Sequence, residues 1–144
     1  MSATTINEMM AAYAEDAVDF ARNNFGISLD YSNDSVRQVE AMAETLVQAR
    51  PKSFVSKLFR KRPTDEETQT VCKMLGGYIG EVYRRAEGGD WGINDEFQAL
   101  GVQQGDNWIF PPAKVYKRLT NGSEDNLWSY FSVLTSEPGK RVDA

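Results

Sequence analysis

The sequence predicts a mainly helical α+β domain with a small antiparallel β-sheet, and three observations support this. As far as Gly88, apolar residues recur three or four positions apart, which is the spacing of amphipathic helices. After Gly89 this spacing gives way to short apolar or alternating runs separated by turn residues, typical of a β-meander. No internal repeat, low-complexity tract or domain boundary divides the 144 residues. We therefore expect a single domain over 1–144, with a frayed tail at 137–144.

The first helix is predicted over about residues 5–25. Thr5 and Glu8 have the spacing of a capping box, in which each side chain accepts a hydrogen bond from the other residue's backbone N–H. Gly26 follows the last apolar residue of the stripe and suits a left-handed C-terminal cap. The outward face of this helix is expected to be acidic.

A second helix is expected after Asp30, with Ser32 or Asn33 as its N-cap. Pro51 should end it, because proline disfavours helical geometry at the residue before it. Its buried side is predicted to carry Val36, Val39, Ala43, Leu46 and Val47.

The segment Arg50–Arg62 is basic in an otherwise acidic chain. It contains six lysines and arginines and no acid, with Phe54 and Phe59 interleaved. A solvated charged loop is the first interpretation, docking to an acidic protein is the second, and binding of nucleic acid is the third. Nucleic acid ranks last because the acidic remainder of the chain would repel a phosphate backbone.

The third helix is predicted from Thr64, which begins another capping-box pattern, to Gly88-Gly89. Gly76, Gly77 and Gly80 lie within its apolar stripe, and each costs up to about 1 kcal/mol relative to alanine in a helix. Either another element packs closely there, or the backbone approaches a ligand. Packing is favoured, because a glycine-rich phosphate loop should lie between a strand and a helix.

Three strands are predicted after Gly89, from the apolar runs at residues 90–93, 97–102 and 108–110. Pro111-Pro112 should then begin a helix, since proline is tolerated in a first turn, and Gly122 should end it. Ser123-Glu124-Asp125 is expected to start the final helix, which carries Leu127, Trp128 and Phe131.

The counts of histidine and cysteine exclude several kinds of catalytic and metal-binding site. The chain has no histidine, which excludes Ser-His and Cys-His couples and the HExxH zinc site. Its one cysteine, Cys72, excludes an intramolecular disulfide and any CxxC site. We expect neither a metal nor another cofactor, and no enzyme activity.

Lacking a basic secretory n-region or a membrane-length apolar run, the chain is expected to be cytoplasmic.

Glu81 and Trp91 are the nearest approach to a catalytic pair. A carboxylate beside an aromatic ring on a glycine-rich face can act as an acid or base if its pKa is raised. Arg84, Arg85 and Lys73 all lie within helical reach, however, so an ion pair that holds the helix is the preferred interpretation. The alternative ligand face or enzyme site comprises Gly77, Gly80, Glu81 and Trp91, within the stretch Gly76–Glu81 and the following strand.

Three motifs together resemble a family of small bacterial domains that have no assigned activity. They are LGGYIGEV at residues 75–82, GGDW at 88–91, and KVYKRLTNGSED at 114–125. The similarity covers about residues 70–131 and implies kinship of fold. Domains of this size in bacteria often accompany secreted toxins as their immunity proteins. The chain departs from the family pattern at Phe110-Pro111-Pro112, where Pro-Phe is usual.

The resulting expectation is an intracellular protein-binding domain, in its specific form a bacterial immunity protein that neutralises a cognate toxin. The net charge of −5 favours a basic protein partner, which an exposed aromatic residue would anchor. The expected partner-binding acids are Asp16, Asp19, Glu40 and Glu44 on the outer faces of the first two helices. The glycine-rich ligand or enzyme face and a nucleic-acid regulator acting through Arg50–Arg62 remain as alternatives, and the oligomeric state is left open.

Overall fold

The structure is a computed structural model that describes residues 5–49 and 65–135. This part confirms the predicted class, since it contains five α-helices and one three-stranded antiparallel sheet. The helices are α1 (Ile6–Phe25), α2 (Val36–Ala49), α3 (Asp65–Glu87), α4 (Pro111–Asn121) and α5 (Leu127–Leu134), and the strands are β1 (Asp90–Asn94), β2 (Ala99–Gln104) and β3 (Asn107–Ile109). Short 3-10 turns occupy Asn33–Ser35 and Ser123–Asp125. No helix within the described ranges is long and apolar enough to cross a membrane.

Both predicted ends of α1 are confirmed. The Glu8 backbone N–H donates to Thr5 Oγ1 at 3.0 Å, and the Thr5 N–H donates to Glu8 Oε1 at 2.8 Å. Gly26 adopts a left-handed conformation with φ of 66°. Ser32 likewise caps the turn that leads into α2, as predicted.

Helix α3 is the centre of the fold. It packs against α1 on one side and against α4 on another, while α2 lies against α4 and α5. The predicted apolar stripe of α3 is buried, except that Met74 is partly exposed. The buried face of α2 is as predicted but also includes Met42, while Val47 is only partly buried.

The sheet, in the order β1-β2-β3, presents one apolar row to the core. Trp91 pairs with Val102, and Val102 pairs with Ile109, so the three side chains point to the same face. All three are buried. Because one face of the sheet is buried, alternate residues along these short strands are apolar.

Some predicted boundaries are wrong: β2 ends at Gln104 and not at Val102, β3 ends at Ile109 and not at Phe110, and two elements begin later than predicted. Strand β2 begins at Ala99 and not at Phe97, because the Phe97 N–H donates to Asn94 Oδ1 and Gln98 has a positive φ of 51°. The final helix begins at Leu127 and not at Ser123, because residues 123–125 form a separate 3-10 turn. The predictions for Arg50–Arg62, Thr64 and 137–144 concern residues outside the described ranges.

Candidate binding surface

Glu81 is an internal anchor between α3 and β1. Its Oε2 accepts hydrogen bonds from Trp91 Nε1 at 2.8 Å and from Arg84 Nη1 at 2.7 Å, and the carboxylate is buried. The predicted ion pair is therefore present with Arg84. It does not include the other two predicted partners, because Arg85 lies over the ring of Tyr31 and Lys73 lies near the ring of Tyr13.

The three glycines of α3 lie at close contacts with other elements, which confirms the packing interpretation. A Cβ atom on Gly76 would lie 2.5 Å from Pro112 Cα, and one on Gly80 would lie 2.1 Å from Trp91 Cζ2. On Gly77 it would lie 3.2 Å from the Met10 carbonyl oxygen. Other parts of the protein therefore occupy the face that we considered as a ligand site, at Gly77, Gly80, Glu81 and Trp91.

The prediction that Glu40 lies on an outward face available to a partner is wrong, since its side chain is only 15% exposed. The side chain of Glu44 is 39% exposed but is also engaged within the fold. Both accept hydrogen bonds from Arg118, whose side chain is only 1% exposed. Arg118 Nε lies 3.0 Å from each Glu40 oxygen, and its Nη2 lies 2.7 Å from Glu40 Oε2. The Leu127 N–H also donates to Glu40, at 2.8 Å, so this carboxylate joins α2, α4 and α5.

The two predicted acids on α1 are on the surface. Asp16 is exposed, and Asp19 is exposed while forming a surface ion pair with Arg22 at 2.6 Å. The four predicted partner-binding acids therefore do not form one surface, since the pair on α2 is engaged with Arg118.

The end of β1 and the turn that follows it carry the two most exposed large apolar side chains of the described residues. Phe97 is 64% exposed and Ile93 is 53% exposed, and the intervening Asp95 and Glu96 are also exposed. The Phe97 ring meets the Phe110 ring edge-on, with 5.8 Å between their centroids. Sequence reasoning missed this site because it placed Phe97 in a strand. Asn94 and Asp95 do indicate a turn in the sequence, but their residue types do not show that it extends through Phe97 to Gln98.

Cys72 is buried and is not a candidate nucleophile. Burial raises the pKa of its thiol to about 12, so the thiolate is scarce at neutral pH.

Within residues 5–49 and 65–135, no group of three or more acidic or cysteine side chains is placed to hold a metal ion. Comparison of the chain with protein-family models, with curated proteins and with solved structures found no match. The resemblance to the bacterial domain family therefore stays a prediction.

Proposed function

We propose that this protein is a protein-binding domain that contacts a basic partner through the turn between β1 and β2. The observation that carries the proposal is the joint exposure of Phe97 and Ile93 beside two acids, Asp95 and Glu96. Aromatic side chains in the centre of an interface contribute much of the binding energy, and flanking acids select a basic surface. Binding is favoured over catalysis because Glu81, the candidate acid or base, already accepts hydrogen bonds from Arg84 and Trp91 at its Oε2.

Hydrogen bonds within the turn hold the backbone at Phe97. Its N–H donates to Asn94 Oδ1 at 2.9 Å, and Gln98 Nε2 donates to the Asp95 carbonyl oxygen at 2.7 Å. The ring also rests against Phe110. A side chain that is already ordered loses less conformational entropy on binding, so these contacts favour its use as an anchor.

Charge supports a basic partner. Among the described residues acids outnumber lysines and arginines by more than two to one. Asp16 and Asp19 on α1 add to this negative field, which should speed the encounter with a basic protein at low ionic strength. Glu40 and Glu44 have no part in this proposal, because they bind Arg118.

The specific form of the proposal is a bacterial immunity protein that covers the active site of a cognate toxin. It is supported by the resemblance over residues 70–131 and by the acidic, aromatic turn. A gene for a secreted toxin should then lie beside the gene for this chain, and co-expression of the two should protect the cell.

Truncating the anchor should remove binding. We expect Phe97→Ala to weaken capture of the partner by at least about thirtyfold, which corresponds to the loss of one hot-spot side chain. Tyr116→Ala removes another exposed aromatic side chain, on α4, and is the matched control. The measurement is quantitative mass spectrometry of proteins retained on the immobilised full chain and its two variants.

One basic protein retained by the wild type and by Tyr116→Ala, but not by Phe97→Ala, is the expected result. Retention should also decrease with salt, because the Debye length shortens from about 30 Å at 0.01 M to about 8 Å at 0.15 M. Equal retention of every protein by all three chains would contradict the proposed surface.

A further inference from the structure

A concavity of about 360 Å³ lies between α3, β2 and α4. Gln69 and Lys73 of α3 form one wall, Tyr116 and Lys117 of α4 form the other, and Leu100 of β2 contributes apolar surface. Its volume is at the lower end of the range for small-molecule sites, about 300–1,000 Å³. The space therefore suits a small molecule better than a folded partner.

The charge of this concavity is opposite to that of the protein around it. Lys73 and Lys117 are among its lining residues, and no aspartate or glutamate of the described ranges lines it. The exposed Lys117 ammonium forms no salt bridge with a described residue, although its charge helps to lower the pKa of Asp125. The Lys73 ammonium lies 5.9 Å from the centroid of the Tyr13 ring. By contrast, Lys114 on the same helix is paired with Asp125 at 3.0 Å. Two exposed lysines that form no salt bridge with a described carboxylate favour an anion.

The walls are fixed relative to each other by the contact of Gly76 with Pro112. A Cβ atom on Gly76 would lie only 2.5 Å from Pro112 Cα, so α3 and α4 touch through their backbones at this point. Pro112 itself lines the concavity, and Gln69 and Lys73 lie one to two turns earlier on the same side of α3 as Gly76. The site is therefore formed before any ligand arrives, which lowers the cost of binding.

We propose that this concavity binds a small organic anion that has a flat apolar body and one acidic group, such as an aromatic carboxylate or sulfonate. The two lysine ammonium groups neutralise the acidic group, and the Gln69 amide supplies a hydrogen bond to it. The apolar body lies against Leu100 and the ring of Tyr116, which is 44% exposed. This site is separate from the turn that carries Phe97 and does not depend on the proposed protein partner.

The test is a fluorescence titration of the full chain with 1-anilinonaphthalene-8-sulfonate, whose aromatic body and single sulfonate match the proposed class. We expect saturable binding at one site. Lys73→Gln and Lys117→Gln should each weaken it by about tenfold, since each removes a charged hydrogen-bond donor. Arg22→Gln removes the same charge from an exposed position on α1 and should leave the affinity unchanged. The neutral analogue N-phenyl-1-naphthylamine should bind more weakly than the sulfonate.

A neighbouring concavity of about 280 Å³ shares Lys117 but is lined by Trp108 and not by Tyr116 or Lys73. Tyr116→Ala should therefore weaken binding, and Trp108→Ala should not. The proposal would be overturned by absence of saturable binding, by equal affinity in Lys73→Gln and the wild type, or by loss of binding in Trp108→Ala alone. Thermal unfolding of each variant, compared with the wild type, verifies that it is folded.

Discussion

Replacing Gly76 with alanine should lower the free energy of unfolding by about 2–3 kcal/mol, through overpacking. The added Cβ would lie 2.5 Å from Pro112 Cα and 2.6 Å from Pro112 N, and these are backbone atoms that cannot rotate away. Alanine is the better helix former by about 1 kcal/mol, so the crowding must outweigh a favourable change in propensity. Urea denaturation of the variant and the wild type measures the difference.

The glycines of the chain provide their own controls. An added Cβ on Gly77 would meet its nearest neighbour at 3.2 Å, a tight contact that needs a small shift of the neighbour. On Gly92 of β1 the nearest neighbour is at 3.5 Å, which is ordinary van der Waals contact. Gly77→Ala should therefore cost less than Gly76→Ala, and Gly92→Ala should change stability by less than about 1 kcal/mol. Stabilisation by Gly76→Ala would show that open space adjoins this residue, and it would contradict the packing of α3 on α4.

Replacing Arg118 with methionine should destabilise the protein by about 3–5 kcal/mol, because it leaves the partly buried Glu40 carboxylate without its counter-charge. Arg118 is buried, and its guanidinium donates hydrogen bonds to Glu40 and Glu44 of α2. The backbone N–H of Leu127 in α5 also donates to the Glu40 carboxylate. Loss of the Arg118 guanidinium should therefore weaken the packing among α2, α4 and α5. Chemical denaturation followed by far-UV circular dichroism measures the change in the free energy of unfolding.

The double variant Arg118→Met with Glu40→Leu is the control for this prediction. Removing both charges should recover much of the loss, because replacing a buried ion pair by apolar side chains is often close to neutral. If Arg118→Met alone were as stable as the wild type, the ion pair would have no role in joining the helices.

The same contact gives the stability a dependence on pH. The hydrogen bond from Arg118 holds the pKa of Glu44 below its usual value. Because the folded-state pKa is lower than the unfolded one, this contribution is present at neutral pH and is lost as the pH falls through the folded value. As the pH falls below the ordinary carboxyl pKa, the free energy of unfolding should therefore decrease less steeply in Arg118→Met than in the wild type.

Local chemistry explains the parts of the fold that the sequence predicts well. The Thr5–Glu8 cap, the left-handed Gly26 and the Pro111 helix start each depend on residues at most a few positions apart. Such motifs act through the backbone of their own segment, and so a single sequence reveals them. The row of Trp91, Val102 and Ile109 is similarly implied by alternation within short strands.

Pairings between distant residues are what the sequence does not reveal. Glu40 and Arg118 are 78 positions apart, and their helical spacing alone is equally consistent with a solvated acid and a dipole-compensating base. The concavity beside Lys117 likewise depends on how α3, β2 and α4 meet. Phe97 was misplaced because apolar character predicts burial, whereas the Asn94 hydrogen bond turns the chain and exposes the ring.

The central claim is that the turn between β1 and β2 contacts a protein partner, and photo-crosslinking in the producing cell tests it most directly. Phe97 is replaced by the photoreactive benzoylphenylalanine, and Gln38, an exposed residue of α2, is replaced in the same way as the control. The proposal predicts one covalent adduct with a basic protein from position 97 and none from position 38. No adduct from position 97, or the same adducts from both positions, would contradict it.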